Sequence, residues 1–186
     1  MFIQTQATPN PATLKFLPGT KVLSGEPKDF QNSDEAAKSP LVSALFSIDG
    51  IAGVFLGSDF ISVTKNDASW SEVKPAILGA IMDHFLSGAP IIEDGNDELE
   101  EASEEFFDEN DAQTVEIIKE LIATRVRPAV AMDGGDIIFK GFRDGIVFLK
   151  MQGACSGCPS SSATLKNGIE NLLRHFVPDV EEVKQI

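Results

Sequence analysis

Between Glu93 and Asp111 the chain carries eleven acidic residues and no basic one. A segment so charged, with few apolar side chains and a glycine at Gly95, cannot bury enough surface to fold on its own. It reads as a solvated tether. The 186 residues therefore divide into two small α/β domains, residues 1–92 and 112–186, joined by an acidic flexible linker, 93–111. The same run accounts for most of the net charge of −14: six Lys/Arg stand against nine Asp/Glu before it, and nine against nine after it. Neither flank offers a basic surface for a phosphate backbone, which argues against nucleic acid as a ligand. No apolar run reaches the ~18 residues of a membrane helix. Met1 to Gln6 lacks the basic start and apolar core of a signal peptide. An intracellular protein with no membrane partner is expected. The other reading of the acidic run is a docking or iron-binding tract, with Phe106-Phe107 as the feature able to dock.

In the front domain Pro9, Pro11, Pro18-Gly19 and Gly25 cut the chain into short segments. Thr13–Leu17 and Lys21–Leu23 read as strands joined through Pro18-Gly19. Ser39-Pro40 has the form of an N-cap with proline at the first helical position, and Leu41, Ala44, Leu45 and Ile48 share one face of the short helix it opens. Ile51–Leu56 and Phe60–Thr64 flank Gly57-Ser58-Asp59 as a second hairpin. Ser69-x-x-Glu72 is a capping box for a helix that ends near Gly88, although Pro75 is also a candidate start. The expected order is about ββαββα. His84, on an apolar-periodic helix with no second ligand near it, reads as a packing or surface residue, and Trp70 as a core anchor.

In the back domain Val115, Ile118, Ile122, Val126 and Ala129 recur at three-and-four spacing, giving a helix from about Ala112 to about Met132 in which Pro128 marks a kink or the last turns. Asp133-Gly134-Gly135-Asp136 closes it, the glycines suiting a C-cap. Ile137–Phe142 and Ile146–Met151 flank Arg143-Asp144-Gly145, a strong hairpin signal. From Pro159, Leu165, Ile169, Leu172, Leu173 and Phe176 line a helix, and Val180–Ile186 is a last strand. The order is αββαβ, and the whole chain belongs to the α+β class.

The second strand delivers the chain to Gly153-Ala154-Cys155-Ser156-Gly157-Cys158-Pro159, which holds the only two cysteines. Two cysteines in a reducing compartment point to metal or redox chemistry rather than a structural staple. A Cys-x-x-Cys turn lets both sulfurs face one metal. A following helix N-terminus would favour thiolate at Cys158, and at Cys155 if the loop brings it to the same helix end. Structural zinc and the common iron–sulfur clusters take four protein ligands, so one copy supplies half a site and a second copy would supply the rest. Three readings stay open from spacing alone. The first is an iron–sulfur cluster shared by a homodimer. The second is a thioredoxin-like dithiol oxidoreductase, against which the preceding hairpin counts, because that motif follows a βαβ unit. The third is a structural zinc-binding dimer.

The segment Ile122-Ala123-Thr124-Arg125-Val126-Arg127-Pro128, through Asp133-Gly134-Gly135-Asp136 and the cysteine loop to Thr164-Leu165-Lys166-Asn167-Gly168-Ile169-Glu170, resembles the C-terminal domain of NifU-like iron–sulfur scaffold proteins. Thr8-Pro9-Asn10-Pro11, Thr13-Leu14-Lys15-Phe16, Ser39-Pro40-Leu41 and Phe55-x-Gly57-x-Asp59-Phe60-Ile61 resemble the N-terminal domain of that family's mitochondrial-type branch. The resemblance covers nearly all of the chain outside the acidic run. It implies a non-enzymatic carrier of a [4Fe-4S] cluster, built from iron and inorganic sulfide and held across a homodimer by Cys155 and Cys158. Upstream assembly proteins would supply the cluster, and apo iron–sulfur proteins, lipoate synthase among them, would receive it. The expected compartment is a bacterial cytoplasm, or the mitochondrial matrix for a processed eukaryotic protein.

Overall fold

A computed structural model of the chain describes residues 1–93, 105–156 and 159–186, with side chains in the last stretch described from Ala163 onward. The chain separates into two compact units, Met1–Asn96 and Asp97–Ile186.

The front unit is a five-stranded antiparallel sheet, in the order β1-β2-β5-β4-β3, with two helices. Its elements are β1 (Gln4–Ala7), β2 (Thr13–Leu17), β3 (Lys28–Phe30), α1 (Pro40–Phe46), β4 (Ile51–Leu56), β5 (Ile61–Lys65) and α2 (Trp70–Ser87). The expected ββαββα order is corrected to βββαββα. Gln4–Ala7 has the polar, solvent-facing composition of an edge strand, and it takes the antiparallel place beside β2 that Lys21–Leu23 was expected to fill. Lys21–Leu23 is not a strand: the Val22 and Leu23 N–H groups both donate to the Ser58 carbonyl, at 2.7 and 3.2 Å, and both side chains are buried. Ser39 caps α1 as expected, its Oγ accepting from the Val42 N–H at 3.2 Å. Helix α2 starts at Trp70 rather than at Pro75, and the Glu72 carboxylate accepts from the Ser69 N–H at 3.3 Å. Pro75 is exposed, so water can satisfy the Ser71 carbonyl that lacks its helical donor. Phe16, Val54, Leu56, Ile61 and Val63 meet Leu41, Leu45, Ile77 and Ile81 in one core.

The back unit keeps the expected αββαβ order. It contains α3 (Ala112–Leu121), a π-helical turn (Ile122–Val126), α4 (Arg127–Met132), β6 (Gly135–Arg143), β7 (Ile146–Gly153), α5 (Pro159–Phe176) and β8 (Glu182–Gln185). The strand order is β6-β7-β8, with β7 and β8 parallel across the α5 connection. Asp144 and Gly145, at φ +51° and +76°, form the tight turn of the β6–β7 hairpin.

The π turn explains why the helical periodicity slips by one residue. Pro128 cannot donate to an i−4 carbonyl and its ring crowds that position. The helix widens just upstream, and the Arg127 N–H reaches back to the Ile122 carbonyl, an i−5 bond. The extra residue in the turn leaves Ala129 exposed and puts Val130, 1% exposed, in the core after Val115, Ile118, Ile122 and Val126. Phe176, expected on the buried face of α5, is exposed and carries the Arg125 guanidinium 4.9 Å from its ring centroid.

The described end of the acidic run is docked. The Phe106 N–H donates to the Lys140 carbonyl at 3.1 Å and the Phe106 carbonyl accepts from the Phe142 N–H at 2.9 Å, adding a parallel bridge at the edge of β6. Its ring lies over Gly141, where a Cβ would come within 2.6 Å of it, and 5.0 Å from the Phe148 ring. A bulge in β6 falls at this point. Glu105 holds Lys119 at 2.8 Å, and Asp108 caps the 3-10 turn Glu109–Asp111 that leads into α3. Residues 94–104 of the run lie outside the described residues.

Candidate metal centre

Three elements converge on Cys155: the end of α4, the start of β6 and the end of β7. Gly134, at φ +81°, ends the helix, and its carbonyl accepts from the Ala154 N–H at 3.2 Å. Beyond β7 the chain turns tightly: the Ser156 N–H and Oγ both donate to the Gly153 carbonyl, at 3.1 and 2.9 Å. These contacts hold Cys155 inward, 6% exposed and packed with the core of the unit.

Gly135 makes the inward position possible. A Cβ there would lie 2.8 Å from the Cys155 Sγ, 2.6 Å from the Gln152 carbonyl oxygen and 3.2 Å from the Cys155 nitrogen. The two glycines of the Asp-Gly-Gly-Asp segment thus have separate tasks. Gly134 turns the chain, and Gly135 leaves room for a sulfur.

Asp136 follows at once, its side chain 6% exposed, and receives Arg127 side-on: Nε donates to Oδ1 at 2.9 Å and Nη2 to Oδ2 at 2.8 Å. Across the ladder Asp136 stands opposite Gln152, whose Oε1 is buried without a hydrogen-bond partner among the described residues.

At Cys155 the electrostatics of the free thiol disfavour the thiolate. Burial first, and then the negative charges of Asp133 and Asp136, push the Cys155 thiol up to about 12. Cys155 lies inside the core, where burial in a low-dielectric surrounding favours the neutral thiol. A metal must then expel the proton as it binds, which a soft cation does readily at a thiol. Cys158, the expected second ligand, lies outside the described residues.

Among the described residues no group of three or more His, Cys, Asp and Glu could hold a metal ion. Asp136 is occupied by Arg127. Of the two sulfurs expected as ligands, that of Cys155 is the one among the described residues; a pair of thiolates would suit zinc or an iron–sulfur cluster, each of which takes four protein ligands. His84 is 8% exposed, its Nε2 has no partner among the described residues, and burial lowers its pKa. It packs edge-on to Phe85, as expected of a packing residue. Trp70 packs at the margin of the front core and donates its Nε1–H to the Pro11 carbonyl at 3.1 Å. Sequence reasoning missed the pairing of Arg127 with Asp136 and the steric role of Gly135. The signal available was a lone acidic residue opening a strand whose neighbours alternate into the core.

Two family models match the chain: the N-terminal domain of scaffold protein Nfu/NifU over residues 3–88, and the NifU-like domain over residues 118–184. A Drosophila sechellia protein named as a mitochondrial NFU1 iron-sulfur cluster scaffold homolog is 52% identical over all of this chain and 65% of its own length. The NifU-like protein 4, mitochondrial, of Arabidopsis thaliana is 53% identical over 66% of its length, and the Homo sapiens NFU1 iron-sulfur cluster scaffold homolog, mitochondrial, is 51% identical over 72%. The chain thus spans just under two thirds of the Drosophila and Arabidopsis relatives it matches. With both domains matched in order and full-length identity near one half, the chain belongs to the Nfu/NifU-like scaffold protein family.

Proposed function

We propose that this protein is an iron–sulfur cluster scaffold and carrier that holds a [4Fe-4S] cluster between two copies of the chain, with Cys155 and Cys158 of each copy as ligands, and passes it to apo-proteins. The observation that carries the reading is the donor deficit at Cys155, where no other described residue completes a metal site. The relatives' names, as iron–sulfur cluster scaffold homologs, support the same cargo. A cluster shared across a seam can be given up by exchange: an incoming client thiolate forms an Fe–S bond as one Cys155 or Cys158 bond breaks, with no change in redox state. Clients would be apo iron–sulfur proteins, lipoate synthase among them, and donors would be upstream assembly proteins. The front unit would select among them. The protein then acts as a carrier rather than an enzyme. The reading needs a reducing compartment, whether bacterial cytoplasm or mitochondrial matrix, and the relatives' names favour the second.

A dithiol oxidoreductase needs a thiol poised near ambient pH, and the buried Cys155 thiol is pushed the other way. The deciding experiment is anaerobic reconstitution with iron and sulfide, followed by iron, sulfide and zinc content per chain and mass in solution. Four irons and four sulfides per two chains, lost in Cys155→Ala and in Cys158→Ala, is the expected result. Zinc alone, no uptake of sulfide, or a cluster held by a monomer without an outside donor would overturn it.

A further inference from the structure

We propose that Arg127 and Asp136 form a positioning clamp for Cys155: their two-pronged ion pair fixes the first residues of β6, the surface on which the cysteine loop is seated. The inference rests on the reading of Cys155 as a ligand only for its consequence, since the clamp itself is a property of the metal-free chain.

Beside the turn that Ser156 closes on Gly153, the contacts that seat Cys155 come from the two residues just before Asp136. Gly134 supplies the carbonyl that holds the Ala154 N–H, and Gly135 supplies the Cβ-free surface against Sγ. Two glycines in succession are the least constrained backbone available, so this surface needs an anchor. Asp136 is the first residue after them with a side chain, and it is buried. Its partner comes from the opposite end of α4, whose side-chain exposure is 31% for Arg127 against 6% for Asp136. The pair therefore closes a loop over residues 127–136, tying the helix start to the strand start across the turn between them. A guanidinium meeting a carboxylate along two parallel N–H···O bonds fixes orientation as well as distance, which a single ammonium contact does not. The π turn sits directly upstream of Arg127, whose N–H bonds back to the Ile122 carbonyl across it.

Removing the Arg127 cation has two opposed effects on Cys155, and this makes the clamp testable. If the ion pair acts only through charge, its loss leaves Asp136 unneutralised beside the sulfur, disfavours the thiolate and slows alkylation. If the pair is a clamp, its loss lets the loop open more often and alkylation speeds up.

The test uses the full-length, metal-free chain and iodoacetamide at fixed pH, with modification of Cys155 and Cys158 read separately by peptide mass spectrometry. Arg127→Gln is expected to raise the Cys155 rate about tenfold or more, the scale of losing a charged, two-bond contact in a locally opening segment. Arg127→Lys is expected to recover part of that protection. Leu173→Ala, a core truncation on α5 away from the pair, serves as the control for general loss of stability. A Cys155 rate that falls, that stays within about twofold of wild type, or that rises no more in Arg127→Gln than in Leu173→Ala at equal thermal stability would overturn the clamp. On reconstitution the Arg127→Gln protein should shed its cluster faster than wild type. A wild-type chain that takes up no cluster would end the functional reading and leave the alkylation result standing.

Discussion

Replacing Gly135 by alanine tests the packing at the cysteine loop with one added methyl group. The new Cβ would lie 2.6 Å from the Gln152 carbonyl oxygen, 2.8 Å from the Cys155 Sγ and 3.2 Å from the Cys155 nitrogen. Two of these three atoms are backbone, so no rotamer change relieves them: either β6 and β7 part or the loop lifts. Overpacking of this kind costs about 1–3 kcal/mol. Gly135 is not among the positive-φ glycines, so alanine carries no conformational penalty there and recovers about 0.4–1 kcal/mol by restricting the unfolded chain. The net expectation is a loss of about 1–2 kcal/mol confined to the back unit, which lowers its unfolding midpoint by roughly 5–15 °C. Scanning calorimetry of the full chain reads this directly, with the front unit as internal reference. Gly79→Ala is the control: no atom lies within 4 Å of a Cβ there, and the exposed position in α2 should gain about 0.8–1 kcal/mol in the front unit. A back unit whose midpoint in Gly135→Ala matches wild type within a degree or so, with Cys155 still protected from alkylation, would refute the reasoning.

Phe106→Ala removes a ring packed over Gly141 and tilted against Phe148, and should destabilise the back unit by about 2 kcal/mol, less than a full core truncation because the ring is half-buried. Hydrogen exchange at the Phe142 N–H, which donates to the Phe106 carbonyl, would report it, and unchanged protection there would count against the docked segment. His84 has its pKa lowered by burial, so the front unit keeps this contribution above the unfolded value near 6.5 and loses it as pH falls below. Denaturant titrations should show the front unit weakening from pH 7 to pH 5, and His84→Leu should flatten that slope. For the metal-free Cys155, whose thiol is pushed up to about 12, alkylation should keep rising roughly tenfold per pH unit past pH 9, where an ordinary thiol has levelled off.

The back unit was more legible than the front one because its signals are of the strong kind. A two-residue turn at Asp144-Gly145, proline at the start of α5 and long apolar periodicities each have a local physical cause. The front unit's β1 has no such signal: Gln4–Ala7 is polar and exposed, and becomes a strand only because β2 offers an unpaired edge. Val22 and Leu23 misled for the complementary reason. They are apolar and buried, yet their N–H groups go to one carbonyl in a distant hairpin loop. At the site, the spacing of Cys155 and Cys158 named the ligands to expect, but not the burial that disfavours ionisation of the Cys155 thiol.

From its residues alone the chain determined two domains and the αββαβ order of the second, because turn chemistry and periodicity are local properties, and it named Cys155 and Cys158 as the sulfurs to expect at a metal site. Tertiary structure alone decided the pairing of Arg127 with Asp136, the space that Gly135 leaves for Cys155, the exchange of Ala129 for Val130 in the core, and the docking of Phe106 on β6. Each of these depends on which atoms meet across elements, and distance along the chain carries no record of that.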